Sequence, residues 1–387
     1  MQRSIKDVLV DAKDASELMV DLAYAAVLFD DRDLAYEVQE LEESLRSEIF
    51  RLRRLCLMAA RSPQDADYFA GILQIASAME KIGDAAEEIA RVVPRRLGVP
   101  YELRRDLRHA DEVVGRVPLP EQSHLCGANL AELAIPRETG LWVIAIKRGA
   151  QWRTAPTQTE VLLPGDILYV QGAEDGLRRL RHLAGLPDTE EAHELLVWSV
   201  ADSLSVAVDL LVELKNMSEV AVGLAYSALL LNDKTLAKEV ASLEERTDKM
   251  YDELERWVLA AGKTEIDPSD LRGLLHIGSA IERICHAAQE MVWVIEHGEG
   301  LHPIVGEALS EADEIVARFQ ISEESLPAGR SLGDACVRTK TGMTVLAVQR
   351  GNMWRYRPRR GFVLKAGDRV LATGPEDSVG LMAAFVG

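Results

Sequence analysis

The 387 residues carry 63 acidic against 44 basic side chains, a formal net charge of −19 at pH 7, which argues against a nucleic-acid partner or an anionic membrane surface, since both call for basic patches. With 48% hydrophobic and 28% charged residues, the chain reads as a soluble globular protein long enough for two to four domains, each with its own core. No apolar run approaches the roughly eighteen residues of a spanning helix. The N-terminus shows no signal-peptide pattern, and the scattered Cys56, Cys126, Cys285 and Cys336 suit free thiols in a reducing compartment, so a cytoplasmic protein is expected.

In chain order, residues 4 to 94 hold three long helical patterns. The first runs to Phe29 and stops at Asp30-Asp31-Arg32-Asp33, whose acids are placed to cap the next helix. The second buries Leu34, Val38, Leu41, Leu45, Ile49 and Leu52 and ends near Arg61-Ser62-Pro63, with Pro63 between helices or in the first turn of the third. Glu42 and Glu43 read as solvated. Pro94 closes the third helix, and three antiparallel helices with short connections make a bundle.

From about residue 115 the period becomes strand-like. Leu141 to Arg148 is an apolar, β-forming run between Gly140 and Gly149, Pro164-Gly165-Asp166 is a turn, and Ile167 to Val170 is a second strand. Asn129–Leu133 and the stretch after Asp175 suit short helices, so this is a small α+β domain. Pro187-Asp188-Thr189-Glu190-Glu191 reads as a linker.

The pattern then repeats without a gap at an offset of 282 − 80 = 202 residues: Tyr24 returns as Tyr226, Asp31 as Asp233, Trp152 as Trp354 and Gly165-Asp166 as Gly367-Asp368. This is an internal duplication of one long unit. The second bundle unit runs from about Leu195 to Glu296 and breaks at Asp267-Pro268-Ser269-Asp270, and the second small domain runs from Phe319 to Gly387.

The third helix of each unit carries the residues with metal-ligand chemistry. Glu80 and Asp84 lie one turn apart on one face and repel unless something positive sits between them. Two readings fit: a bound metal ion, or a solvated polar flank continuing through Glu87 and Arg91. In the second copy the pair becomes Glu282 and His286, which suits a first-row transition metal more readily than magnesium or calcium. Cys285 stands where Gly83 stands and reads as a core residue. In the small domains Arg148 and Arg350 follow the long strand, where a guanidinium could grip a phosphate or carboxylate or could turn to solvent. Trp152 and Trp354 could stack on a base, or belong to core or interface. His124, His276 and His302 have no partner at ligand spacing. Asp31, Asp33, Glu42 and Glu43 would be the remaining oxygen ligands if the third-helix pair holds an ion.

Glu80-Lys81-Ile82-Gly83-Asp84-Ala85, following Leu34-Ala35-Tyr36-Glu37-Val38, resembles the signature of PhoU-type bundles. Leu130-Ala131-Glu132-Leu133, Val143 to Gly149 and Pro164 to Gly172, with Thr344 to Gly351 and Ala366 to Leu371 in the second copy, resemble the TrkA C-terminal (RCK C-terminal) domain. The resemblance implies a mixed α and α+β multidomain fold. Two PhoU-like three-helix units, at 1–110 and 187–312, would form a six-helix bundle and alternate with TrkA C-terminal-like domains at 111–186 and 313–387.

What these families do implies a non-enzymatic cytoplasmic regulatory subunit of a potassium- or magnesium-type cation transport system, partnered with a membrane transporter or channel. A homodimer and no nucleic acid are expected. Metal would sit at Glu80, Asp84, Glu282 and His286, and a nucleotide-type regulator such as a cyclic dinucleotide would bind the small domains. The alternative is a PhoU-like adaptor in phosphate-transport signalling whose small domains serve only for dimerisation. The chain departs from the usual pattern by lacking a Gly-x-Gly-x-x-Gly after a strand, so no NAD is expected. It departs again in using Cys285 and His286, which breaks a carboxylate-only cluster.

Overall fold

The computed structural model describes residues 3–100, 103, 113–154, 156–172, 174–186, 202–263, 267–297, 301–311, 315–351, 353–356, 358, 360–374 and 376–387. The expected boundaries at 110–111 and 312–313, the linker Pro187–Glu191 and Leu195 lie outside these residues.

The first three helices start where the sequence supplies an oxygen for orphan amides. In α1 (Ile5–Phe29) Ser4 Oγ accepts from the Asp7 amide at 3.2 Å while the Ser4 amide donates to Asp7 at 2.8 Å, a capping box. In α2 (Arg32–Ala59) Asp31 Oδ1 accepts from the amides of Asp33 and Leu34. In α3 (Pro63–Ala90) Ser62 and Asp65 cap reciprocally and Pro63 takes the first helical position. After the first small domain, α7 (Asp202–Leu231), α8 (Lys234–Ala261) and α9 (Pro268–His297) repeat the unit, with Asp233 capping α8 as Asp31 caps α2. The short α10 (Pro303–Ser310) packs on α1 and α7.

The six long helices share one core, because α3 packs along α9 and joins Met19, Leu45, Ile49 and Met79 to Leu243, Ile281 and Ile284 in a single buried cluster. Gly83 belongs to that packing: a Cβ there would come within 2.7 Å of Leu45 Cδ2. The second copy makes the opposite choice of sizes, with buried Cys285 beside Thr247, which stands in the place of Leu45. Cys285 is thus a core residue, its thiol pushed up to about 12 by burial.

Each small lobe is a four-stranded antiparallel sheet. In the first, β1 (Val113–Pro118), β2 (Leu141–Arg148), β3 (Gln151–Thr154) and β4 (Ile167–Gly172) lie in the order β1-β4-β2-β3, with α4 (Leu130–Leu133), α5 (Ile135–Thr139) and α6 (Glu174–Leu183) beside them. The second repeats this as β5 (Ile315–Gln320), α11 (Leu332–Ala335), α12 (Val337–Thr341), β6 (Thr344–Arg350), β7 (Met353–Tyr356), β8 (Arg369–Gly374) and α13 (Glu376–Val386). The strands β1 and β3, not expected from the sequence, form the two edges.

Both faces of each sheet are buried, which is why β2 reads as a continuous apolar run. Leu141, Ile146, Leu168 and Val170 face the lobe's own helices, while Ile144, Ala145 and Tyr169 join the bundle core. A bulge between Val143 and Ala145 turns the consecutive Ile144 and Ala145 to the bundle side, and the second lobe repeats it between Val345 and Ala347.

Polar contacts fix the first lobe on α1 and on the turn between α1 and α2. The Tyr169 hydroxyl donates to Asp31 Oδ2 at 2.7 Å, Gln171 to Asp21 at 3.0 Å and Lys147 to Asp33 at 2.7 Å. The second lobe uses Arg318 on Asp233 and Tyr356 on Glu239. Asp31 therefore both caps α2 and receives a hydroxyl from a fully buried tyrosine. Asp31→Ala is expected to cost about 2 kcal/mol, combining a lost cap with an orphaned buried hydroxyl. Asp33→Ala, which loses only a partly exposed ion pair, should cost under about 0.5 kcal/mol. Urea unfolding of the two variants checks the ordering.

The two lobes also touch each other within the chain. Helix α5 packs on α12, and Arg360 Nη1 lies 2.7 Å from Asp175 Oδ2.

Candidate functional site

In the first unit the structure brings Glu80 and Asp84 to one face of α3, opposite arginines of α2. Glu80 Oε2 lies 2.5 Å from Arg53 Nη2, Asp84 Oδ1 lies 3.2 Å from Arg46 Nη2, Arg46 also engages Glu42, and Glu87 pairs with Arg91 at 2.7 Å. Three guanidiniums thus stand where a cation would neutralise these acids, and the set does not fit a metal centre. Glu42 corrects the sequence reading: it is buried at 4% exposure, not solvated. Burial first, and then a hydrogen bond to Asp84, pushes its carboxyl up to about 7, against the opposing pull of Arg46. The signal was present, since residue 42 lies one turn beyond the buried Val38.

The second unit has lost that counter-charge. Asp248 occupies the place of Arg46, Glu255 that of Arg53 and Trp293 that of Arg91, by the same offset of 202. Burial, followed by the charges of Asp248 and Glu244, holds the Glu282 carboxyl above its ordinary range. His286 lies between Glu244 Oε1, at 3.2 Å from Nδ1, and Glu290 Oε1, at 3.4 Å from Nε2. The donor chemistry of a divalent site is therefore collected on this face. Among the described residues, however, no three such side chains converge on one point.

Where α3 meets α9 the two units exchange charges. Lys81 reaches Glu290 at 2.5 Å, and its equivalent Arg283 reaches Glu88, the equivalent of Glu290. Lys81→Glu is expected to cost about 1 kcal/mol, with most of it restored in Lys81→Glu/Glu290→Lys. A double-mutant cycle by thermal unfolding measures this.

Arg148 and Arg350 are committed within their lobes. Arg148 donates through Nε and Nη2 to the two oxygens of the fully buried Asp166 at 2.8 Å, and through Nη2 to the Val161 carbonyl at 2.8 Å. Arg350 does the same with Asp368 and Val363. Each aspartate also receives a backbone amide, from Leu163 or Lys365. The fork that would grip an anion holds the turn before the last strand instead. Trp152 packs against Tyr169 and the bundle, and Trp354 against Tyr356.

Two lysines, one in α1 and one in α7, are buried, which their charge alone does not announce. Lys13, 3% exposed, pairs with Glu17 at 2.6 Å and lies 5.7 Å from the Tyr226 ring centre, while Lys215 pairs with Glu219 at 2.6 Å and lies 5.6 Å from that of Tyr24. Their signal was the repeated Lys-x-x-Ser-Glu, at 13–17 and 215–219.

Comparison with known proteins agrees with this architecture. The PhoU domain family matches residues 9–93 and 211–293, and the TrkA-C domain family matches 114–185 and 316–387. The chain is thus a tandem array of PhoU and TrkA-C domains, each PhoU domain followed by a TrkA-C domain. A "Probable potassium channel protein 2" of Methanocaldococcus jannaschii is 38% identical over 69 residues, which is 18% of this chain and 20% of that protein, so the chain spans about a fifth of its length. PhoU from Pseudomonas aeruginosa is 15% identical, with 75% of this chain and 93% of that one covered at a TM-score of 0.41. The GsuK RCK domain is 16% identical, with 70% and 62% covered at a TM-score of 0.20. No helix among the described residues is long and apolar enough to cross a membrane.

Proposed function

We propose that the protein is a cytoplasmic regulatory subunit of a potassium- or magnesium-type cation transport system, acting on a membrane transporter or channel. The observation that carries this reading is that both TrkA-C sheets lie directly on the PhoU bundle at its helix turns, through Tyr169 on Asp31 and Arg318 on Asp233. A ligand that shifts a lobe thereby shifts the bundle, and a transporter that prefers one arrangement is gated. The TrkA-C domains are the part that would take a nucleotide-type regulator such as a cyclic dinucleotide. The PhoU part would take an ion, and Glu282 and His286, with Glu244 3.2 Å from His286, are the residues that would have to draw together to hold it. Glu80 and Asp84 are already neutralised by arginine.

Crosslinking in native membranes, together with potassium, magnesium and phosphate uptake in cells lacking the gene, tests the reading. A captured cation transporter and altered potassium or magnesium uptake are expected. A change confined to phosphate uptake would sink it in favour of a PhoU-like adaptor. In that second reading the PhoU bundle is the docking scaffold and the TrkA-C lobes serve only for dimerisation. For the ion, elemental analysis of the purified chain should show a divalent metal that Glu282→Ala/His286→Ala removes and Glu80→Ala/Asp84→Ala leaves.

A further inference from the structure

A cleft of about 640 Å³ opens between the first turns of α2 and the β2–β3 hairpin of the first lobe, so that its two walls belong to different domains. Asp33, Tyr36, Glu37 and Glu40 form the helical wall, at the three- and four-residue spacings of one face, and Lys147, Trp152 and Arg153 line the hairpin wall. The cations of the cleft are engaged: Lys147 with Asp33 at 2.7 Å, and Arg153 Nε with Glu160 at 3.3 Å. Glu37 and Glu40 have no hydrogen-bond or ion-pair partner among the described residues. Burial, and then the charge of Glu40, holds the Glu37 carboxyl above its ordinary range.

The aromatic walls point to the same class of occupant. Tyr36 is 54% exposed, and Trp152 already takes one ammonium, that of Lys147, 5.1 Å from its ring centre. The second copy carries different side chains at the equivalent place. Lys238 stands for Tyr36, Ser242 for Glu40 and Tyr356 for Thr154, and the Tyr356 hydroxyl engages Glu239, the counterpart of Glu37. The smaller Thr154, which stands where Tyr356 stands, leaves Glu37 without the hydroxyl partner that Glu239 has.

We propose that this cleft binds a small aliphatic polyamine, with its ammonium groups on Glu37 and Glu40 and its methylene chain along Tyr36 and Trp152. Bound there, the ligand would bridge the first lobe to the bundle. The proposal goes beyond the transport reading and stands apart from it, because binding is read on the purified chain.

The test is calorimetric titration of the full chain with spermidine and putrescine at physiological ionic strength. A chain this acidic attracts polyamines nonspecifically, so Glu43→Gln/Glu245→Gln, at two exposed acids, serves as the equal-charge control. Saturable binding of one molecule per chain is expected, weakened about tenfold or more in Glu37→Gln/Glu40→Gln and severalfold in Trp152→Leu, and unchanged in the control. Absence of saturable binding, or equal weakening in the control, overturns the proposal. Magnesium competing equally well, with Trp152→Leu unchanged, overturns it too, since that would mark a simple ion site.

Discussion

Arg148→Leu is expected to destabilise the first lobe by about 3 kcal/mol, and by more than Asp166→Asn does. The asymmetry follows from which partner is buried. Arg148 is 24% exposed and Asp166 is not exposed at all. Removing the arginine strands an ionised carboxylate in the lobe with, among the described residues, only the Leu163 amide, at 2.8 Å, to stabilise it. Removing the aspartate frees a guanidinium that can turn toward water and Glu160, 3.3 Å away. The second lobe should show the same order with smaller losses, because Arg350 is 39% exposed and water screens it more. Hydrogen exchange at the β4 amides in the full chain reports opening of this lobe apart from the bundle. Equal costs for the two variants, or a cost under about 1 kcal/mol for Arg148→Leu, would remove the pair from the architecture of the turn and leave Arg148 available to a ligand.

The helices, their breaks and the duplication were legible because their causes are local. Ser62-Pro63 and Asp31 announce helix starts by chemistry within three residues, and period counting finds the buried stripe between them. The edge strands β1 and β3 were not legible. Val113–Pro118 has a glycine in its middle, Gln151–Thr154 spans four residues, and their pairing with β4 and β2 is not a local property. Nor was the commitment of Arg148 visible, since Asp166 lies eighteen residues away. The recurrence of arginine and aspartate at that spacing, as Arg350 and Asp368, was the available hint.

The candidate metal face shows a different limit. Helical spacing placed Glu80 and Asp84 on one face, but their neighbours come from α2, and only the packed bundle shows Arg46 and Arg53 meeting them. Comparison of the copies then separates the two faces. The same backbone positions carry arginines in one unit and Asp248 and Glu255 in the other, so one face is neutralised from within the chain and the other is left acidic. The lobes diverge in the same manner, with Thr154 standing where Tyr356 engages Glu239 in the second copy. Duplication preserved the packing while the charged surfaces parted.

The same neutralised face should make the protein lose stability as pH rises through the weakly acidic range. Glu42 has an ordinary value of 4.5 and is pushed to about 7 in the folded chain, chiefly by burial and then by its hydrogen bond to Asp84. Between those values the folded state holds a proton that the unfolded state has released, so unfolding releases protons and stability falls with increasing pH. The contribution is fully present below about pH 4.5 and gone above about pH 7. At about 1.4 kcal/mol per pH unit it amounts to on the order of 3 kcal/mol. Glu37, Glu87 and Glu282 are also held above their ordinary values and add to the slope in the same direction, so the measurement must be a difference. Urea unfolding of the wild type and of Glu42→Gln across this range isolates the contribution of Glu42. The variant keeps the shape of the buried group without its titration, so it should match the wild type near pH 4 and exceed it by on the order of 2–3 kcal/mol near pH 8. A difference that stays constant with pH would mean that Arg46, which is 58% exposed yet paired with both Glu42 and Asp84, keeps Glu42 ionised throughout.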